Sequence, residues 1–273
     1  MTEPRRAPGS RLSVAEAAAV RRMGLRPVGL VLGTAVLQVV SSAWAGAGPV
    51  SGSARRYPCQ HFLGGPAEHW GWNVEDPGLT GSVLAGFGLA LERARADALG
   101  MGADGVVGLE LTVDRRVGGS TAWTFQALGT AVALVPEGGD PPRPSRTPFL
   151  AAFSGRQLER LLLQGLVPVT VAVGAGACLV QPSCRTRGDP TVPGRVDQRR
   201  DALTLVRDRA RRSLEAAAEE AGGQVLGITW QDLRLPGWGE SWLQLAEAVG
   251  TVVRPFAAPL PAASPTATVA LRP

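Results

Sequence analysis

Lysine is absent from these 273 residues, and cysteine (3), histidine (2) and tyrosine (1) are scarce. Three cysteines exclude a framework of several disulfides. Two histidines and 14 aromatics (7 Trp, 6 Phe, 1 Tyr) leave little from which to build a histidine-based active site or a base-stacking surface. The 28 basic residues are all Arg against 23 Asp plus Glu, and the resulting net charge of +5 names no partner by itself. What the chain does have is 45% hydrophobic residues, which argues for packed globular structure, together with 35 Gly and 22 Pro. Its length suggests two modest domains.

The two domains are copies of one another. Leu12–Val39 aligns without a gap on Phe153–Val180 at an offset of 141, with Ser13/Ser154, Gly24/Gly165, Leu25/Leu166, Pro27/Pro168, Val28/Val169, Gly33/Gly174 and Val39/Val180 identical. Further along, GADGVVGLEL from Gly102 matches AGGQVLGITW from Ala221, and ALGTAV from Ala127 matches AVGTVV from Ala248. One such match in a chain rich in Gly, Ala and Val means little, but three in the same order are hard to obtain from composition.

Each copy has the same grammar. Ser13 or Ser154 caps a short helix that Gly24 or Gly165 ends. Pro27 or Pro168 then opens an apolar, β-branched run, 28–40 or 169–180, expected to be a strand buried on both faces. After a loop, apolar residues at helical spacing predict a second helix over 79–99 and 197–221. Two hairpin strands follow, 105–113 with 121–135 and 224–233 with 242–253. The expected fold class is therefore α+β: two tandem β-α-β-β units, each preceded by a short helix. The first unit covers 12–135, a Pro/Gly-rich linker 136–148, the second and more divergent unit 149–254, and a Pro/Ala-rich tail expected to be disordered 255–273.

Residues 27–50 carry no charge, follow six Arg and contain A-x-A patterns at Ala43, Ala45 and Ala47, which would suit a secretory or anchoring segment. The repeat argues otherwise, because the counterpart 166–180 lies in mid-chain after the same helix and Pro. The expectation is a core strand in a cytoplasmic protein without a membrane partner.

The stretch ALERARADALGMGADGVVGLELTV followed by FQALGTAV resembles the YbjQ-like family, which is labelled as heavy-metal-binding domains. Its G-A-D-x-V-V-G turn stands here as Gly102, Ala103, Asp104, Gly105, Val106, Val107 and Gly108, and its final G-T-A-V as Gly129, Thr130, Ala131 and Val132. The segment 70–80 also looks like the entry to the helix in tandem members. The resemblance spans about 12–135 and 153–254, and the second copy departs from it, with Gly223 aligned on Asp104 and Gln224 on Gly105. It implies a dodecin-like subunit fold and assembly into a homo-oligomeric ring, a pentamer being common among single-domain members. A single β-α-β-β unit exposes sheet edges and an apolar face, and association is a natural remedy.

The first copy has the longer path between strand and helix: 40 positions from Val39 to Leu79, against 23 from Val180 to Leu203. That extra loop holds both histidines of the chain. Cys59, His61 and His69, with Glu68, Glu75 and Asp76 nearby, offer a thiolate, two imidazoles and carboxylates, a donor set suited to a divalent soft metal ion such as zinc or copper. Their C-x-H-x7-H spacing matches no standard zinc module. Asp104 is expected to fix its turn by accepting backbone N–H groups, and Cys178 to be a small buried apolar residue. Trp123, Trp230 and Trp242 fall in the final strands and could alternatively line a cavity for a planar ligand. Nine Arg and four Asp between 185 and 212 carry +5, but their interleaving at helical spacing predicts a solvated, ion-paired helix face, with no nucleic acid partner. No nucleophile elbow, paired His and Asp, Walker lysine or metalloprotease helix is present. The function expected is a non-enzymatic oligomeric protein with soft-metal binding through the first-unit loop, or a planar-ligand or scaffolding protein without a metal.

Overall fold

The structure, a computed structural model, describes residues 10–39, 41, 55–57, 71–115, 122–135, 147–183, 194–237 and 241–256, with 55–57 and 194–196 described in backbone only. Unit 1 runs α1 (Val14–Arg22), β1 (Leu25–Gln38), β2 (Arg55–Tyr57), β3 (Gly71–Glu75), α2 (Pro77–Gly100), β4 (Gly105–Asp114) and β5 (Ala122–Leu134). Then come β6 (Phe149–Leu150), α3 (Gly155–Leu163), β7 (Leu166–Gln181), α4 (Gly194–Glu220), β8 (Gln224–Pro236) and β9 (Trp242–Pro255). The α+β class and the repeated helix then β-α-β-β order are as the sequence predicts.

The duplication extends to details of the backbone. Ser13 and Ser154 each close a capping box, with Glu16 and Gln157 respectively, and Gly24 and Gly165 follow their helices at φ +71° and +74°. The ladder slips after Pro27 in β1 and after Pro168 in β7. A second slip falls between Val107 and Glu110 in β4 and between Leu226 and Thr229 in β8, with Gly108 and Gly227 at φ +64° and +65° inside it. Antiparallel β1-β5-β4 in sheet 1 corresponds to β7-β9-β8 in sheet 2.

Each helix reaches its sheet through a missing side chain. A Cβ on Gly33 of β1 would lie 1.9 Å from the Ala90 carbonyl oxygen of α2, and one on Gly174 of β7 would lie 2.0 Å from that of Ala210 in α4. No other residue allows so close an approach.

Two features were not expected. The sequence reading places only a loop between β1 and α2, yet β3 pairs antiparallel with β7 of sheet 2, Trp72 opposite Gln181 through Glu75 opposite Cys178. Conversely β6, at the start of the second unit, pairs parallel with β4 of sheet 1, Gly105 opposite Phe149 and Val106 opposite Leu150. Unit 1 thus lends β3, with β2 paired outside it, to sheet 2, and unit 2 lends β6 to sheet 1. The helices differ as well: α2 packs on its own sheet and also against β7, while α4, among the described residues, packs on sheet 2. The resulting order of layers is sheet 1, α2, sheet 2, α4.

Candidate functional site: the contact between the units

The main apolar cluster runs from one unit into the other. From unit 1 it takes Val31, Ala35, Val83, Leu91, Phe125 and their neighbours, and from unit 2 Val171, Val173, Ala175, Ala177, Leu243 and Leu245. The odd-numbered face of β7 therefore covers α2, as ordinary strand alternation allows once the even-numbered face is taken by α4.

Polar groups fix the register of this contact. Ala177 N–H donates to Thr80 Oγ1 at 3.0 Å, and Arg95 Nη2 donates to Thr170 Oγ1 at 2.7 Å. Asp76 accepts from Leu79 N–H at 3.0 Å as N-cap of α2, while its own N–H donates to the Ala177 carbonyl. At the edge of sheet 2, Gln198 Nε2 donates to Asn73 Oδ1 (3.2 Å) and to the Gln181 carbonyl (2.9 Å). Asn73 Nδ2 in turn donates to the Gln198 carbonyl at 3.0 Å. Both side chains are buried and pin β3 of unit 1 between β7 and α4 of unit 2.

One ion pair is sealed inside the contact. Arg115, at the end of β4, meets Glu247 of β9 and lies 5.1 Å from the Trp123 ring centroid. Burial pushes the Glu247 carboxyl above its ordinary value, against the opposing pull of the Arg115 guanidinium and its hydrogen bond. In sheet 1 the position equivalent to Glu247, at the offset of 121 that relates β5 to β9, is Gln126, which is exposed.

The turn residues have structural roles. Asp104 Oδ2 accepts from Leu134 N–H at 2.8 Å, and Gly102 ends α2 at φ +66°. A Cβ on Gly129 would fall 2.5 Å from Val106 Cγ1, and buried Thr130 accepts from Arg11 N–H at 3.2 Å. The alignment of Gly223 on Asp104 needs correction. Gly223 N–H bonds the Ala218 carbonyl as Ala103 N–H bonds that of Ala98, so Gly223 takes the place of Ala103 and Asp104 has no counterpart. Its partner is missing too, for the residue equivalent to Leu134 is Pro255, which has no N–H to offer.

Cys59, His61, His69 and Glu68 lie outside the described residues, and among the described residues no three His, Cys, Asp or Glu side chains cluster as metal ligands would. Cys178 is buried against Ala202 and its thiol is pushed up to about 12 by burial and by Glu75 and Asp76. Trp123 and Trp242 are buried in separate apolar clusters, and Trp230 is exposed. A cleft of about 420 Å³ between the units, lined by Arg11, Glu16, Glu110, Thr130, Ala152 and Gln157 among others, includes none of these tryptophans. Three of the α4 arginines are ion-paired, Arg200 with Asp197, Arg211 with Glu215 and Arg207 with Asp232 of β8. No described helix is long and apolar enough to cross a membrane.

Pairing of the two units within the chain is the least that the sequence leads one to expect; the elements that make it, β3 on β7, β6 on β4 and α2 against β7, are what sequence reasoning missed. The expectation of a strand buried on both faces holds for β7 and fails for β1, which leaves Leu30, Leu32 and Val36 exposed on a face that Thr34 and Gln38 interrupt.

No family profile matches the chain, and no solved structure does. Over 85 residues it is 34% identical to the encapsulin nanocompartment protein Rv1762c of Mycobacterium tuberculosis, a match covering 31% of this chain and 32% of that protein. The chain thus spans about a third of the length of this curated relative.

Proposed function

We propose that this protein is a non-enzymatic assembly module, a subunit that associates with further copies of itself as a homo-oligomer. One observation carries the reading: α2 is closed between two sheets, while the corresponding faces of the repeat, on β1 and on α4, have no partner unit among the described residues. A repeated unit that buries one end of its stack in this way has a second end of the same kind. The likeness to a protein named for a nanocompartment agrees with self-association, over the third of the chain that it covers. Native mass spectrometry of the full chain tests the proposal. An oligomer is expected, and a monomer at micromolar concentration overturns it.

A second reading, binding of zinc or copper, rests on the donor chemistry of Cys59, His61 and His69. Titration of the wild type against the double variant Cys59→Ser/His61→Ala should show affinity lost in the variant; equal affinity removes the loop site.

A further inference from the structure

We infer that chains join head to tail, unit 2 of one chain seating on unit 1 of the next through the same surfaces that join the two units within a chain. The inference rests on the assembly reading and adds to it the surfaces, their polarity and the kind of symmetry.

The equivalence of β1 and β7 gives the first observation. Val171, Val173 and Ala177 of β7 are 4%, 9% and 3% exposed because α2 covers them. At the offset of 141 their counterparts on β1 are Leu30, Leu32 and Val36, which are 42%, 54% and 62% exposed. The same row is thus a covered seat in unit 2 and an open one in unit 1, larger at Leu30, Leu32 and Val36 and interrupted by Thr34, which stands where β7 has Ala175. Such a row on a strand otherwise packed on its helix is the signature of an interaction surface.

The second observation is a strand-lending segment without its acceptor. In unit 2, Ala152 N–H donates to Thr251 Oγ1 at 3.0 Å, which holds 149–153 where it can pair with β4. There Ala151 N–H donates to the Val106 carbonyl, while Leu109 N–H and Gly108 N–H donate to the carbonyls of Ala151 and Phe153. In unit 1, Arg11 N–H donates to Thr130 Oγ1 at 3.2 Å, the identical anchor, so Ser10 and Leu12 stand where Ala151 and Phe153 do. The matching acceptor edge is β8, the last strand of sheet 2, whose Val225, Gly227 and Ile228 correspond to Val106, Gly108 and Leu109. Leu109 is buried and Ile228 is 45% exposed. An edge unpaired among the described residues and an anchored segment of matching register are therefore found at opposite ends of the chain.

Charge supplies the third. The stripe of α2 that meets sheet 2 carries Thr80, Leu84, Leu91 and Arg95; the offset of 120 that relates α2 to α4 puts Arg200, Thr204, Arg211 and Glu215 on the outward stripe of α4. On the receiving face of sheet 1, Glu110 and Asp114 stand where sheet 2 has Thr229 and Leu233. Arg200 and Arg211 would thus stand opposite Glu110 and Asp114, exchanging exposed pairs now made within the chain, Arg200 with Asp197, Arg211 with Glu215 and Glu110 with Arg11, for pairs across the contact, with Arg stems able to lie along Leu30, Leu32 and Val36. The contact is heterologous, because the two surfaces differ, and it closes into a ring or continues as a filament.

Complementation between two full-length variants tests this. Leu32→Asp/Val36→Asp disables the seat, and Arg200→Glu/Arg211→Glu disables the opposite surface. Each alone should lose self-association by at least about a hundredfold, as expected when a charge is placed in or reversed across a buried contact. Mixed in equal amounts, the two should form heterodimers and nothing larger, since each retains one intact surface. Oligomers that persist in either variant overturn the inference while leaving self-association intact; a monomeric wild type overturns both. A second route needs no disruptive change. Ser10→Cys with Ile228→Cys, in a chain with Cys59→Ser and Cys184→Ser, should give an intermolecular disulfide ladder on mild oxidation, and its absence at concentrations where the wild type is oligomeric overturns the inference.

Discussion

Helix α2 and helix α4 occupy equivalent places in the repeat, yet α2 has a sheet on either side and a stripe of Thr80, Leu84 and Leu91 toward the second one, while α4 turns Arg200, Thr204 and Arg211 outward. The sheet-facing side is held in common, down to the Gly33 and Gly174 approaches. Folding of the unit itself thus constrains one face of each helix, and the neighbour constrains the other. A difference between repeats marks where their surroundings differ.

The comparison is most severely strained at the two glycines. Gly33→Val and Gly174→Val should each destabilise the chain by about 3 kcal/mol or more, since a Cβ at either position overlaps a helix carbonyl. Urea unfolding would measure both, and tolerance at one site alone would break the equivalence of the units. Next is the buried pair, where Arg115→Ala leaves Glu247 without its cation and should cost about 3 kcal/mol. Its sequence counterpart Arg234, exposed and stacked 4.1 Å from the Trp242 ring centroid, should cost about 1 kcal/mol or less when truncated.

The same pair has a pH signature. Because burial raises the Glu247 carboxyl above its ordinary value, the folded chain holds that proton more firmly than the unfolded one. The stability contributed is complete below the ordinary carboxylate value and is lost as pH rises through the raised value. Unfolding followed across that window should show the slope in the wild type and not in Glu247→Gln.

Asp104 gives a smaller contrast. Asp104→Ala should cost about 2 kcal/mol through the unsatisfied Leu134 N–H, whereas Pro255→Leu in unit 2 should stay within about 0.5 kcal/mol, having no acceptor to gain or lose. The least effect is expected at Cys178. With its thiol pushed up to about 12, it should resist alkylation at pH 8 in the folded chain, as mass spectrometry would show.

The repeat, its caps and nearly all of its long strands and helices could be read from the sequence because they depend on local signals: Ser before a helix, Gly after it, an apolar run opened by Pro. What could not be read is tertiary. Trp72–Glu75 alternates apolar and polar over only four residues and in the opposite sense to its burial, with Asn73 buried and Trp72 exposed, and its partner Cys178–Gln181 lies a hundred residues away. Phe149 and Leu150 are too few to show a period at all. The misplaced equivalence of Gly223 and Asp104 arose because a one-residue deletion among glycines leaves no mark in composition; only the bond from Gly223 to Ala218 locates it. The candidate metal donors Cys59, His61 and His69 were conspicuous by residue type alone and fall outside the described residues.

The exchange of β3 and β6 bears on how such a chain can change over generations. A gene split within the linker 136–148 would yield one fragment whose β3 has lost its sheet and another whose β6 has lost its own. Neither fragment would be a smaller version of the whole, and each would carry an adhesive edge until it found the other. Duplication followed by reciprocal lending is therefore hard to reverse: it joins two copies into one unit of inheritance and one cooperative unit of unfolding, in which the second copy is free to diverge only on the surfaces the first does not hold.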